Sequence, residues 1–302
     1  GAGFIGSHIV EVLVKKGHCV RVLDDFSSGK EENLSAVINR IEIIKGDIRN
    51  REICFRAARG IDFILHQAAL RSVPKSLDNP EEYNAVNIQG TLNMLEAARD
   101  NKVKGFVFAS SSAVYGEAKR FPQREDDLPQ LISPYALTKL AGEYYCRIFA
   151  KNYGLNTISL RYFNVFGPRQ ALDDEYAVVI PKFINCLLRG ESPPIYGTGR
   201  QSRDFTYVEN VVKANLCALD KVGFKGEVFN VAQGENHSVL ELLRILKKIL
   251  KKRIKPTFLP PRPADVFKTH ADINRSRRFL GFRPEVSFYE GLRLTVDWFR
   301  QK

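Results

Sequence analysis

No run of about 18 consecutive apolar residues occurs in this chain of 302 residues, and its start has neither a basic nor an apolar leader region, so neither a membrane span nor a secretory signal is indicated. Cysteines are few: Cys19, Cys54, Cys146, Cys186 and Cys217 are scattered, odd in number and never in C-x-x-C spacing. That pattern excludes a readable disulfide framework or zinc site and leaves free thiols, with no metal, as the expectation. Low-complexity tracts and internal repeats are missing as well. A net charge of +12 raises the question of nucleic acid, but no helix-turn-helix, zinc-finger or RNA-binding signature accompanies it. The densest basic stretch, 247–255, lies on a helix where Val239, Leu242, Leu243, Leu246, Ile249 and Leu250 recur at helical spacing, so its lysines read as a solvated face. The expectation is a soluble cytoplasmic protein that engages neither nucleic acid nor membrane.

What is present is an alternation of short β-branched runs with helical patterns, the mark of a doubly wound parallel sheet of α/β class. Strands are expected at 20–23, 41–45, 63–65, 105–109 and 156–160, and helices at 7–16, 81–101 and 135–152. After Gly167 and Pro168 the texture changes to proline-marked loops and shorter elements. A division follows into a dinucleotide-binding domain, 1–166, and a smaller C-terminal α/β substrate-binding lobe, 167–302, interleaved so that 204–232 partly returns to the first.

The chain opens with Gly1-Ala2-Gly3-Phe4-Ile5-Gly6, a G-x-G-x-x-G turn. Gly3 lets the backbone approach a pyrophosphate, Gly6 lets the helix pack closely, and the helix N-terminus offers unpaired N–H groups to phosphate. The strand that should precede such a turn is not in the sequence, which suggests a truncation of roughly ten residues, about one strand and its approach. About 20 residues beyond the glycines, Asp24 ends an apolar run where a carboxylate can accept ribose hydroxyls. It also favours NAD over NADP, because a 2′-phosphate beside it would meet like charge.

Tyr135 and Lys139 stand four apart on an expected helix, following Ser110-Ser111-Ser112 at a strand end. That spacing puts both side chains on one face, where the ammonium can hold the phenol near its ionised form. A tyrosine is otherwise a poor base at neutral pH.

These motifs, with D-D-F-S-S-G at 24–29, G-D-I at 46–48, H-Q-A-A-L-R-S-V-P at 66–74, S-S-S-A-V-Y-G at 110–116, R-Y-F-N-V-F-G-P-R at 161–169 and R-P-A-D-V at 262–266, make the chain resemble the extended short-chain dehydrogenase/reductase superfamily, and within it the UDP-hexose 4-epimerases. The resemblance spans essentially the whole length. It implies NAD contacts from Gly1, Gly3, Phe4, Ile5, Gly6, Asp24, Asp25, Ser27, Gly29, Asp47, Ile48, Gln67, Ala68, Ala69, Asn87, Tyr135, Lys139, Tyr162 and Val165. Ser111 takes the place of the family's catalytic Ser/Thr, beside Tyr135 and Lys139. For the UDP-sugar it implies Ser111, Ser112, Asn164, Val178, Val179, Ile195, Tyr196, Arg203, Arg262 and Asp265, with Thr269 beside the sugar's C2 group.

Ser112 and Ala113 occupy the positions where related dehydratases and decarboxylases carry an extra acid or base, so the resemblance implies plain epimerisation. The small Thr269 suggests that N-acetylhexosamines are admitted alongside plain hexoses. UDP-glucuronate, or another reaction of the superfamily, is the alternative. Relatives pair as homodimers through the helices at 81–101 and 135–152.

Overall fold

The glycine turn runs straight into α1 (Phe4–Lys15), which has no acidic or hydroxyl side chain capping its start and buries Ile9, Val10 and Val14. The computed structural model describes residues 1–171, 179–221, 223–261 and 266–301. Strand β1 (Val20–Asp24) follows and pairs in parallel with β2 (Ile41–Lys45), Val20 lying opposite Ile41 and Asp24 opposite Lys45. Helix α2 (Arg51–Ala58) leads to β3 (Phe63–His66), and the short helices α3 (Val73–Asp78) and α4 (Pro80–Tyr83) lead to α5 (Gly90–Asp100). The single helix expected over 81–101 is thus interrupted: Asn84–Gln89 is wound as a π-helix. Widened turns of this kind carry no periodic mark in the sequence and are frequent near functional sites.

Strand β4 (Gly105–Ser111) is the spine of the molecule, paired in parallel with β3 on one side and with β5 (Thr157–Tyr162) on the other. Its side chains alternate between faces as a strand requires. Phe106 and Phe108 pack with Met94, Leu95, Cys146 and Phe149. Val107 and Ala109 join Val211, Ala214 and Phe229 on the opposite face. Burial on both faces explains the apolar run in this strand. Between β4 and β5 lies α6 (Pro134–Tyr153), bounded by signals visible in the sequence: Ser133 caps Ala136 N at 3.2 Å, Pro134 occupies the first turn, and Gly154 closes the helix with φ 71°. Tyr135 and Lys139 therefore sit in its first turns.

Beyond β5 come β6 (Val165–Phe166), α7 (Val179–Arg189), β7 (Pro194–Tyr196), β8 (Ser202–Arg203), β9 (Thr206–Tyr207) and α8 (Val208–Leu219). Helix α8 packs back against β4 and β5, and β10 (Lys225–Val231) pairs in parallel with β5. The chain then leaves again through β11 (His237–Ser238), α9 (Val239–Leu250), β12 (Thr257–Leu259) and α10 (Phe288–Arg300). One sheet has the order β10-β5-β4-β3 and another β1-β2, the two not hydrogen-bonded to each other. Helices α7, α9 and α10 close a separate core around Phe166, Phe205, Tyr207 and Phe288. On α9, Ser238 accepts from Glu241 N at 3.1 Å, while Leu242, Leu243, Leu246 and Leu250 are buried and the last turn is basic. That leaves its lysines facing away from the core and matched to the helix dipole. No described helix is long and apolar enough to cross a membrane.

Candidate active site

The C-terminal ends of β1, β3, β4 and β5 open onto one cleft of about 730 Å³, within the range of cofactor and ligand sites. Ligands in open α/β sheets bind at this end of the strands. Its wall includes Gly1, Gly3, Phe4, Ile5, Gly6, Asp24, Asp25, Ser27, Gly29, Asp47, Ile48, Gln67, Ala68, Ala69, Tyr135, Lys139 and Tyr162.

At the glycine turn, a Cβ built on Gly3 would meet nothing within 4 Å, so open space lies over the backbone. A Cβ on Gly6 would press on the Gly1 carbonyl at 2.9 Å, which is why the helix can pack so closely there. Asp24 is tied to the same turn. Its Oδ2 accepts Ala2 N at 2.7 Å, and its Oδ1 accepts Phe26 N at 2.9 Å. A Cβ on Gly29 would lie 2.7 Å from Asp24 Oδ1, so only glycine fits beside the carboxylate. Asp25 caps Ser27 N and Oγ at 3.0 and 2.7 Å. Asp47 is bonded by Arg49 Nε at 2.8 Å, and that bond first of all keeps its carboxyl low.

Deeper in, Gln67 Nε2 donates to Tyr162 Oη at 3.1 Å and to Asn215 Oδ1 at 3.2 Å. Burial in this polar knot pushes the Tyr162 phenol up to about 12. His66, stacked on Phe108, is bonded to Thr91 Oγ1 at 3.0 Å, and burial drives its imidazole down to about 3. It is therefore neutral at working pH.

Tyr135 packs edge-on against Tyr83, with ring centroids 6.4 Å apart. Burial pushes its phenol up, the neighbouring Ser111 hydroxyl pulls it back, and the charge of Arg71 adds to that pull. Ser111 Oγ also accepts Ala113 N at 3.1 Å, which fixes its rotamer at the end of β4. Lys139 is 5% exposed, donates Nζ to the Ala109 carbonyl at 2.8 Å and lies 5.9 Å from the Tyr135 ring centroid. Burial lowers its ammonium to about 8. Tyr135 and Lys139 thus share one wall of the cleft, with Ser111 at the end of β4 just behind it and outside the lining itself.

Other residues from the sequence reading stand elsewhere. Asn87 is 2% exposed and acts as a clamp: its Oδ1 accepts Leu70 N at 2.8 Å, while Nδ2 donates to Leu70 O and Thr138 Oγ1, each at 3.0 Å. It ties the loop after β3 to the helix of Tyr135. Val165 packs against both neighbouring cores. Ser112 begins the 3-10 turn Ser112–Tyr115.

In the second lobe, Ile195 is fully buried, Val179 opens α7 half-buried, and Tyr196 lies 5.9 Å from Lys182 Nζ. Arg203 donates Nη1 to the carbonyls of Ser202 and Phe267 at 2.8 and 3.2 Å. Asn164, at φ 33°, donates Nδ2 to Thr269 Oγ1 at 2.9 Å. Thr269 is 5% exposed and its hydroxyl also accepts Asp204 N at 3.1 Å, so it is engaged in the fold and absent from the cleft wall. Val178, Arg262 and Asp265 lie outside the described residues. Arg49, Arg71, Arg169 and Arg189 also line the cleft without having been anticipated as cofactor contacts, as does Trp298 from α10.

Asp204, beside Arg203, is fully buried and accepts Gln233 N at 3.0 Å and Gly234 N and Ala271 N at 3.1 Å. Burial outweighs these donors and pushes its carboxyl up to about 7, from an ordinary 3.8. The folded chain then holds a proton that the unfolded chain releases, so stability is expected to fall as pH rises between those two values. Urea midpoints across that window should drop more steeply for the parent than for Asp204→Asn. Identical slopes would remove Asp204 from the account.

Residues 1–232 match the NAD dependent epimerase/dehydratase family. A putative UDP-glucose 4-epimerase of Methanocaldococcus jannaschii is 38% identical over 99% of this chain and 96% of its own length. Among solved structures, a UDP-N-acetylglucosamine 4-epimerase from Methanobrevibacter ruminantium, in complex with UDP-N-acetylmuramic acid, superposes with TM-score 0.95 at 42% identity, covering 99% of this chain and 96% of that one. The Thermus thermophilus UDP-glucose 4-epimerase, in complex with NAD, superposes with TM-score 0.91 at 39% identity, with 99% and 96% covered. The chain belongs to the NAD-dependent epimerase/dehydratase family, on the extended short-chain dehydrogenase/reductase fold. Its cofactor is NAD. The residues present fit that cofactor, since the space over Gly3 is open, the α1 N-terminus faces the cleft, and Asp24 stands at the end of β1.

Proposed function

We propose that this enzyme is an NAD-dependent 4-epimerase of UDP-linked sugars, interconverting UDP-N-acetylglucosamine with UDP-N-acetylgalactosamine and UDP-glucose with UDP-galactose. The observation that carries this reading is Tyr135 with the buried Lys139 beside it on the wall of the cofactor cleft, Ser111 standing at the end of β4 close enough to pull the phenol down. Tyr135, ionised, takes the proton of the sugar 4-hydroxyl while Ser111 orients that hydroxyl. Lys139 and Arg71 supply the positive charge that makes the phenolate accessible. NAD, when bound, supplies a hydride acceptor that also returns the hydride, so no external reductant is consumed. Tyr135 gives the proton back after the sugar has presented its opposite face.

The UDP group serves as a handle that binds without reacting. Arg203 and Arg262 would grip its phosphates, Asp265 and Asn164 its ribose and sugar, and Val178, Val179, Ile195 and Tyr196 its base, with Ser112 beside Ser111. The likeness to an N-acetylglucosamine epimerase supports N-acetylhexosamines as substrates, with Thr269 leaving room for the C2 group by its small size and not by contact with it. A second reading, UDP-glucuronate, has Arg71 and Arg169 on the cleft wall in its favour, either of which could meet a carboxylate. The division at residue 166 into cofactor and sugar lobes belongs to the same proposal. So does a homodimer, supported by Leu137, Tyr144 and Ile148, which are about half exposed along one side of α6.

The test is to incubate the protein and NAD separately with UDP-N-acetylglucosamine, UDP-glucose and UDP-glucuronate, without reductant, and follow the anomeric protons by NMR. The 4-epimer is expected from the first two, fastest from the N-acetylated sugar. Turnover of UDP-glucuronate alone would replace the proposal by the second reading, and no epimer from any of the three would end it.

A further inference from the structure

We propose that Arg169 is a cofactor-binding residue whose guanidinium holds the pyrophosphate of NAD beside the first turn of α1. Three side chains of α1 fasten the segment that carries it. His8 Nε2 is bonded to the Pro168 carbonyl at 3.0 Å, Ser7 Oγ accepts Arg169 Nη1 at 3.2 Å, and Glu11 pairs with Nη2. Arg169 itself is held at φ 67°, a left-handed backbone that residues bearing side chains rarely adopt. Such conformations persist where the surroundings impose them, and they cluster at ligand clamps.

The side chain is 20% exposed and lines the cleft together with Gly1, Gly3 and Phe4. A guanidinium has more N–H donors than Ser7 and Glu11 take up, and its planar fork matches phosphate oxygens. Burial holds the neighbouring His8 imidazole below its ordinary range, with Arg169 adding to the effect, so the positive charge of this corner stays on the arginine. The amides of the α1 N-terminus supply directional donors, and Arg169 supplies the full charge that they lack.

The test is calorimetric titration of nucleotide-free protein with ADP, NAD and adenosine, which share a base and ribose but not phosphate. Arg169→Gln is expected to weaken ADP and NAD by roughly 10- to 100-fold and to leave adenosine unchanged. Equal losses for ADP and adenosine, or none for either, would overturn the proposal. Glu11→Gln breaks the same ion pair but keeps the guanidinium, and should bind ADP at least as tightly as the parent. A loss equal to that of Arg169→Gln would mean that the pair serves only to hold the loop, which also overturns it. Should Arg169→Gln not fold, Arg169→Lys carries the same ADP-against-adenosine comparison, with a loss confined to ADP expected.

Discussion

Tyr135→Phe is expected to lower kcat by about 10²- to 10⁴-fold, the usual worth of a positioned proton-transfer group, while KM for the UDP-sugar changes little. The phenylalanine fills the same space against Tyr83 and leaves Ser111 and Lys139 in place, so only the proton acceptor is lost. Steady-state rates for parent and variant, each with its NAD content measured, decide the point. A variant retaining more than a tenth of the parental kcat would exclude Tyr135 as the base. The parent's pH dependence carries a related signature. Tyr135 must be ionised and Lys139 protonated, and burial has lowered Lys139 to about 8. Burial also holds the Tyr135 phenol above its ordinary value, so the rate should rise as pH approaches 8 and then level off, each further gain in phenolate being offset by loss of the ammonium.

Glu143→Ala should cost about 3–5 kcal/mol of stability, a large part of the total for a protein of ordinary stability. Glu143 on α6 meets Arg161 on β5 through two bonds, Nε to Oε1 and Nη2 to Oε2, each 2.8 Å, and both side chains are 4% exposed. Ser110 donates to the same carboxylate, and the Arg161 guanidinium lies 4.7 Å from the centroid of the Tyr115 ring. Removing the carboxylate strands a buried cation together with the Ser110 hydroxyl, and that stranding is the source of the cost. Replacing both partners by apolar residues of similar volume, Glu143→Met with Arg161→Met, should recover much of the loss. Urea denaturation of the two single variants and the double variant forms the cycle. Strict additivity would show that the two residues act independently.

The parts of the molecule legible in the sequence are those whose physics is local. The turn from Gly1 to Gly6, the Asp24 carboxylate at a strand end, and Tyr135 with Lys139 on a helix announced by Ser133-Pro134 and closed by Gly154 all depend on neighbours a few residues away. The parallel sheet was legible for the same reason, since each strand is a short apolar run between turns. What could not be read depends on distance along the chain. Trp298 and Arg189 reach the cleft from the second lobe, and no spacing links them to the glycine turn. Thr269 is recognisable by position, yet its bonds to Asn164 and to Asp204 N, over 105 and 65 residues, are invisible before folding. Asn87 is recognisable by position, yet the bonds that set its amide between Leu70 and Thr138 on a π-wound segment are invisible before folding. Arg169 ends a motif that was legible, but its left-handed backbone and its tie to Glu11 were not.

Strand β10 bears on how such proteins can be recombined. It lies beside β5 only after the chain has built β7, β8 and β9 in the other lobe, and α8 covers the same sheet just before it. The second lobe is therefore built in two pieces around a returning segment, not appended at one end. A chimera that exchanges specificity between two such enzymes by a single crossover after β6 would take α8 and β10 from the donor and pack foreign side chains against β4 and β5. A clean exchange needs additional joints, one before α8 and one after β10, so that the returning segment stays with its own sheet.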